Sequence, residues 1–95
     1  MTGEAVAYLG SVAAGDSLMI RPSSADEEWI IHNVYHEGAA TLIRTDGTNS
    51  VVIDSDTTGG AWAGFFFHVT YNQYLVVRND DSSAKVLGYD GIRSK

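Results

Sequence analysis

Eight short runs rich in apolar and β-branched residues, each bounded by turn formers, constrain this chain more than any other feature: Val6 to Val12, Ser17 to Ile20, Trp29 to Tyr35, Ala40 to Thr45, Ser50 to Asp54, Phe65 to Thr70, Tyr74 to Arg78, and Lys85 to Ile92. Runs of this length, too short for helices and enriched in Val, Ile, Thr and aromatics, read as strands. Between them lie Ala14-Gly15-Asp16, Pro22-Ser23-Ser24-Ala25-Asp26, Glu37-Gly38, Asp46-Gly47, Asp56-Thr57-Thr58-Gly59-Gly60, Asn72-Gln73 and Asn79-Asp80-Asp81-Ser82-Ser83. Each cluster supplies residues that tolerate positive φ or bond their own backbone. With 10 Gly and only two Lys and one Gln, the chain lacks the straight-chain residues that build exposed helical faces. The expected fold is all-β, an antiparallel β-sandwich of about eight strands with jelly-roll-like connectivity, its first and last strands neighbours in one sheet.

The sharpest local signal is Asp46-Gly47, a two-residue loop whose twist matches the strands it joins, so strands four and five are expected to pair there. Most other links are longer, as crossings between two sheets require. The short Asn72-Gln73 link predicts a partial meander. At 95 residues the chain is one domain, 1–95, since a second core would leave each half too small to stabilise itself. Only the ends, 1–5 and 94–95, are expected to fray.

Six Lys plus Arg against 12 Asp plus Glu give a formal charge of −6. The basic residues Arg21, Arg44, Arg78, Lys85, Arg93 and Lys95 are scattered, so neither nucleic acid nor an anionic membrane is an expected partner. No apolar run approaches the roughly 20 residues of a transmembrane helix, and the start lacks the pattern of a signal peptide, so a soluble protein made in a cytosol is expected. The cysteine count is 0, which excludes disulfides, thiolate metal sites and a cysteine nucleophile.

Alternation of period two marks Leu42 against Thr41 and Ile43, and Ile53 against Val52 and Asp54. It breaks at Phe65-Phe66-Phe67, Val51-Val52-Ile53, Leu75-Val76-Val77 and Trp29-Ile30-Ile31, where at least one large side chain must leave the core face. The repeated break predicts a self-association surface. A homotrimer interface using Trp62, Phe66 and Tyr71 is the specific expectation.

Chemistry-bearing motifs are sparse. Gly15-Asp16-Ser17-Leu18 spells the motif of a serine esterase family, but the residues three before His32, His36 and His68 are Trp29, Asn33 and Phe65, so the required DxxH is missing. His32 and His36 would face one metal from a helix; on a strand they are about 13 Å apart, sharing a face but not an ion. Asp54-Ser55-Asp56-Thr57-Thr58-Gly59 opens like a calcium loop, yet Phe65 stands where the EF-hand needs its bidentate Glu. No catalytic residue, metal or cofactor is expected. Trp62, Tyr71, Asn72, Tyr74, Asn79 and Asp80 have the stacking and hydrogen-bonding chemistry of a sugar site.

Leu18-Met19-Ile20-Arg21-Pro22, Glu28-Trp29-Ile30-Ile31-His32-Asn33-Val34, Asp46-Gly47, Val69-Thr70-Tyr71-Asn72-Gln73-Tyr74-Leu75 with Arg78-Asn79, and Leu87-Gly88-Tyr89-Asp90-Gly91-Ile92, taken together, resemble the small jelly-roll structural proteins of tailed bacteriophages. These include capsid decoration, or cement, proteins and related tail-fibre modules. The resemblance covers nearly the whole chain and is one of strands and turns. It implies a non-enzymatic, trimeric protein of the virion surface, made in the host cytoplasm, that binds the major capsid protein. The start of the chain from Thr2 to Tyr8, with Val6, Tyr8 and adjoining Leu9, is the expected capsid-contact arm, with an ordinary first strand as the competing reading. A tail-fibre or adhesin-like glycan-binding module is the alternative function.

Overall fold

The computed structural model describes residues 2–95. Nine strands form: β1 (Ala5–Val12), β2 (Ser17–Ile20), β3 (Glu28–His36), β4 (Ala40–Thr45), β5 (Ser50–Asp56), β6 (Gly60–Trp62), β7 (Phe67–Thr70), β8 (Tyr74–Asn79) and β9 (Lys85–Arg93). They make two antiparallel sheets packed as a β-sandwich. One runs β1-β9-β3, with β6 and β7 sharing the far edge of β3; the other runs β2-β8-β4-β5. The first and last strands pair along their whole length, from Ala5 opposite Ile92 to Val12 opposite Lys85.

The additional strand is β6: Gly60 belongs to a turn-forming cluster and Ala61 and Trp62 to no strand run, yet the three pair with His36, Tyr35 and Val34. β7 starts only at Phe67, leaving Phe65 and Phe66 outside the ladder. The link through Asn72 and Gln73 is not a meander. β7 pairs β3 in one sheet and β8 pairs β2 and β4 in the other, so the chain changes sheet at this corner. Local bonds make so short a crossing possible: Thr70 N–H donates to Gln73 O at 2.7 Å and Gln73 N–H to Thr70 Oγ1 at 2.9 Å.

The turn between β4 and β5 falls one residue later than expected. Asp46 N–H donates to Asn49 O, which leaves Gly47 and Thr48 as the central pair. Gly47, at φ 94°, takes the first central position that a type II′ turn reserves for glycine. The Asp46 carboxylate accepts from the Thr48 and Asn49 N–H groups at 2.9 and 2.7 Å.

Ile31, Val34, Val69, Trp62 and Leu87 from one sheet meet Ile20, Ala40, Leu42, Tyr74, Leu75 and Val77 from the other in a single core. Burying each Ile, Leu or Val contributes about 1.5–3 kcal/mol. Closing the chain through β1 and β9 does not hide both terminal strands: β9 is interior to its sheet, but β1 is an edge with Leu9 67% exposed. At the termini, Gly3 N–H donates to Arg93 O, and Ser94 N–H to Glu28 O.

Candidate functional site

The three residues expected at an oligomer interface lie in different environments. Trp62 is only 6% exposed, because pairing of β6 with β3 turns its ring onto His36, at 4.4 Å between centroids, and inward to the core. It offers a second copy almost no surface. Tyr71 is half-buried beneath Arg21, whose guanidinium sits 3.9 Å from the ring centroid while its Nε donates to Tyr71 O. Phe66 alone stands out, 77% exposed, touching His32 edge-on at 5.1 Å. Val6, Tyr8 and Leu9 belong to β1 and are paired with β9, so any contact they make is made by an ordered edge strand.

A bulge separates the histidines of β3. Ile31 faces Gly91 and Asn33 faces Asp90, which leaves His32 as the extra residue. The inserted residue reverses the alternation, so His36 points into the core while His32 is partly exposed beside Phe66; they do not share a face. Nδ1 of His36 contacts Gly38 O at 3.0 Å, and since a carbonyl only accepts, that nitrogen carries hydrogen. Nε2 has Asp56 Oδ2 at 3.1 Å, but the approach is too poorly aligned to be a hydrogen bond.

The acidic stretch at the end of β5 is likewise engaged structurally. Asp54 accepts from Trp62 Nε1 at 2.9 Å and from Ser55 N–H at 2.8 Å. Among the described residues no three His, Asp or Glu side chains converge. Nor do the residues with sugar-site chemistry assemble. Tyr74 and Asn79 are buried, Asn79 with its amide spent on Val12 O and Ser83 O. Asp80 accepts from Thr41 Oγ1 and from Arg78 Nε at 2.6 Å. Partial burial opposes ionisation there, but the Thr41 and Arg78 bonds outweigh it and hold the carboxyl below its ordinary value.

Two surface arrangements emerge that the sequence did not reveal. On the outer face of the four-stranded sheet, register aligns Val52 with Ile43, Ile43 with Val76, and Val76 with Met19. Opposed residues share a face, so these side chains form one apolar row across the sheet. Its ends are open, Met19 at 52% and Val52 at 59%. Ser55, Thr41, Arg78 and Ser17 make the adjacent polar row.

On the outer face of the other sheet, Asp90 accepts from Asn33 Nδ2 at 2.7 Å and from Tyr35 OH at 2.5 Å. Asn33 Oδ1 in turn accepts Gly64 N–H at 3.1 Å. The Asp90 bond raises the Tyr35 hydroxyl pKa above its ordinary value, aided by partial desolvation. Beside this trio lies a shallow concavity walled by Ala7, Leu9 and Tyr35. The cluster escaped the sequence reading because Asn33 and Asp90 are 57 positions apart and meet only through the bulged β3–β9 register.

No protein-family model matches the chain, and no curated protein matches it.

Proposed function

We propose that the chain is a non-enzymatic structural protein of a virion, a decoration protein that binds the major capsid protein and stabilises the shell. The observation that carries this reading is the row Val52, Ile43, Val76 and Met19, an apolar stripe beside a polar row on the same sheet face. Such a stripe suits docking on another protein surface more than it suits solvent. The strand order supports the reading as well, since chain crossings between sheets with first and last strands paired are what a jelly roll requires. A shell under pressure from packaged DNA fails at joints between subunits. An additive that touches several subunits raises the cost of separating them, because linked weak contacts multiply through effective concentration.

The test is to strip the protein from virions, heat them, and restore it. DNA release at a lower temperature after stripping, reversed on re-addition, is the expected result; an unchanged release temperature refutes the proposal.

A second reading has its own observation. The Asn33, Tyr35 and Asp90 trio is pre-organised beside an apolar concavity, a combination that suits a sugar with one apolar face. Binding on a glycan array, lost in Asp90→Ala, would favour that alternative.

A further inference from the structure

A two-sheet sandwich leaves four outer edges, and natural proteins blunt such edges with short strands, bulges, charges or proline. Three edges here carry such devices. β2 is four residues long and runs into Pro22. β5 is bulged opposite the Leu42/Ile43 step and carries Asp54 and Asp56. The edge beside β3 is split between β6 and β7. β1 has none of them. Its eight residues, Ala-Val-Ala-Tyr-Leu-Gly-Ser-Val, contain no charge and no proline, and pair with β9 without a register shift. In a chain of net charge −6, this neutral edge is a place where two copies meet with little repulsion.

The backbone phase is fixed at the start of the strand. Arg93 N–H donates to Glu4 O at 2.8 Å, so the even-numbered residues of β1 exchange bonds with β9. Ala5, Ala7, Leu9 and Ser11 therefore turn their N–H and C=O groups to the open side. The chemistry that fits this edge is another extended strand.

We propose that this strand is β1 of a second copy, paired antiparallel about a two-fold axis through Tyr8, so that the two five-stranded sheets become one. The sequence is complementary to itself in that register. Ala7 faces Leu9 of the other copy and Val6 faces Gly10, a small residue against a larger one in each pair, while Ala5 faces Ser11, both small. All four outward-facing positions then lie in hydrogen-bonded pairs. Tyr8 meets its own counterpart at a non-hydrogen-bonded site, where side chains approach closest. Within one chain Tyr8 stacks on Tyr89 at 6.2 Å and Tyr89 on Trp29 at 6.1 Å. The pairing extends that aromatic row across the axis.

This inference does not rest on the virion reading, and it is tested on the free protein. Sedimentation of the full chain at micromolar concentration should give twice the 10.2 kDa chain mass. Ala7→Lys, which places a charge opposite Leu9, should weaken association by about tenfold or more while leaving the circular dichroism melt in place. Tyr8→Cys gives an independent readout, because the chain has no other cysteine. Opposed residues at non-hydrogen-bonded sites have Cα atoms about 4.5 Å apart, within disulfide range. Mild oxidation should link Tyr8→Cys into covalent dimers and leave Ala7→Cys unlinked. A monomeric or trimeric wild-type mass, a dimer indifferent to Ala7→Lys, or failure of Tyr8→Cys to cross-link would each overturn the proposal.

Discussion

Trp62 Nε1 donates to Asp54 Oδ2 at 2.9 Å, and this bond joins edge strands of different sheets, β6 and β5. Asp56 Oδ2 lies 3.1 Å from His36 Nε2 in β3, with no hydrogen bond between them. Both acidic residues belong to a segment whose spacing resembles a cation loop. Asp54 instead ties the exposed strand β5 to the opposite sheet, with the Trp62 indole as the donor at the join.

Asp54→Ala removes the acceptor of the Trp62 N–H. Losing a hydrogen bond to a charged acceptor costs about 1.5–3 kcal/mol, so urea unfolding should show stability lowered by that amount at unchanged slope. Trp62→Phe removes donor and need together and keeps a ring in the core. If Asp54→Ala is as stable as wild type, the bond is not a structural tie.

The turn carboxylate of Asp46 predicts an acid-sensitive stability term. Its pKa is held below the ordinary value chiefly by the Asn49 backbone N–H, then by Thr48. A carboxyl with a lowered folded pKa contributes stability above its unfolded pKa, and loses it as pH falls through the folded value. Stability should therefore decline below the ordinary carboxylate range, and Asp46→Asn should shallow that decline. Parallel acid titrations of unfolding midpoint in the two proteins check it; identical slopes would exclude the contribution.

Adjacent phenylalanines should respond oppositely to the same change. Phe66 is 77% exposed, whereas Phe67 packs against the core from a position opposite Ile31. Phe66→Ser should shift stability by no more than about 0.5 kcal/mol. Phe67→Ser should cost about 2 kcal/mol or more, through lost burial and an introduced hydroxyl. Equal losses in thermal melts would mean that Phe66 is packed in solution.

What the sequence made legible were the features encoded within a few residues of one another. Strand-forming runs at β1 to β5 and β7 to β9, and a hairpin between β4 and β5, follow from local propensity and turn chemistry, although the turn itself centres on Gly47 and Thr48 and not on Asp46 and Gly47. β6 was hidden because Gly60-Ala61 has no strand preference of its own; pairing with Val34 to His36 makes it a strand. The broken alternation at Trp29-Ile30-Ile31 was visible, but its companion, the bulge at His32, depends on the partner Gly91 to Asp90 register. Gly91 falls within the strand run Lys85 to Ile92. In the fold it lies mid-strand because a Cβ there would sit 2.1 Å from Ile30 O. The apolar row on the outer face is illegible for the same reason: Met19, Ile43, Val52 and Val76 come from four separate strands, and only register aligns them.

That row supplies the prediction most directly tied to function. Met19 and Val52 end it at exposed positions on β2 and β5, and neither belongs to the buried core cluster. A charge at either end should therefore leave folding intact, whereas a charge at Ile43 or Val76, partly buried in the middle, would also disturb the sandwich. If the row docks on a capsid protein, Met19→Lys with Val52→Lys should bury two unpaired ammonium groups at the contact. A charge buried at an interface without a partner costs several kcal/mol. Binding to stripped virions should then fall by about tenfold at least, with the far-ultraviolet circular dichroism and melting temperature close to wild type. Retained binding by a folded double variant would move the docking face elsewhere, and retained binding lost instead in Asp90→Ala would point to the sheet that carries Asn33 and Tyr35.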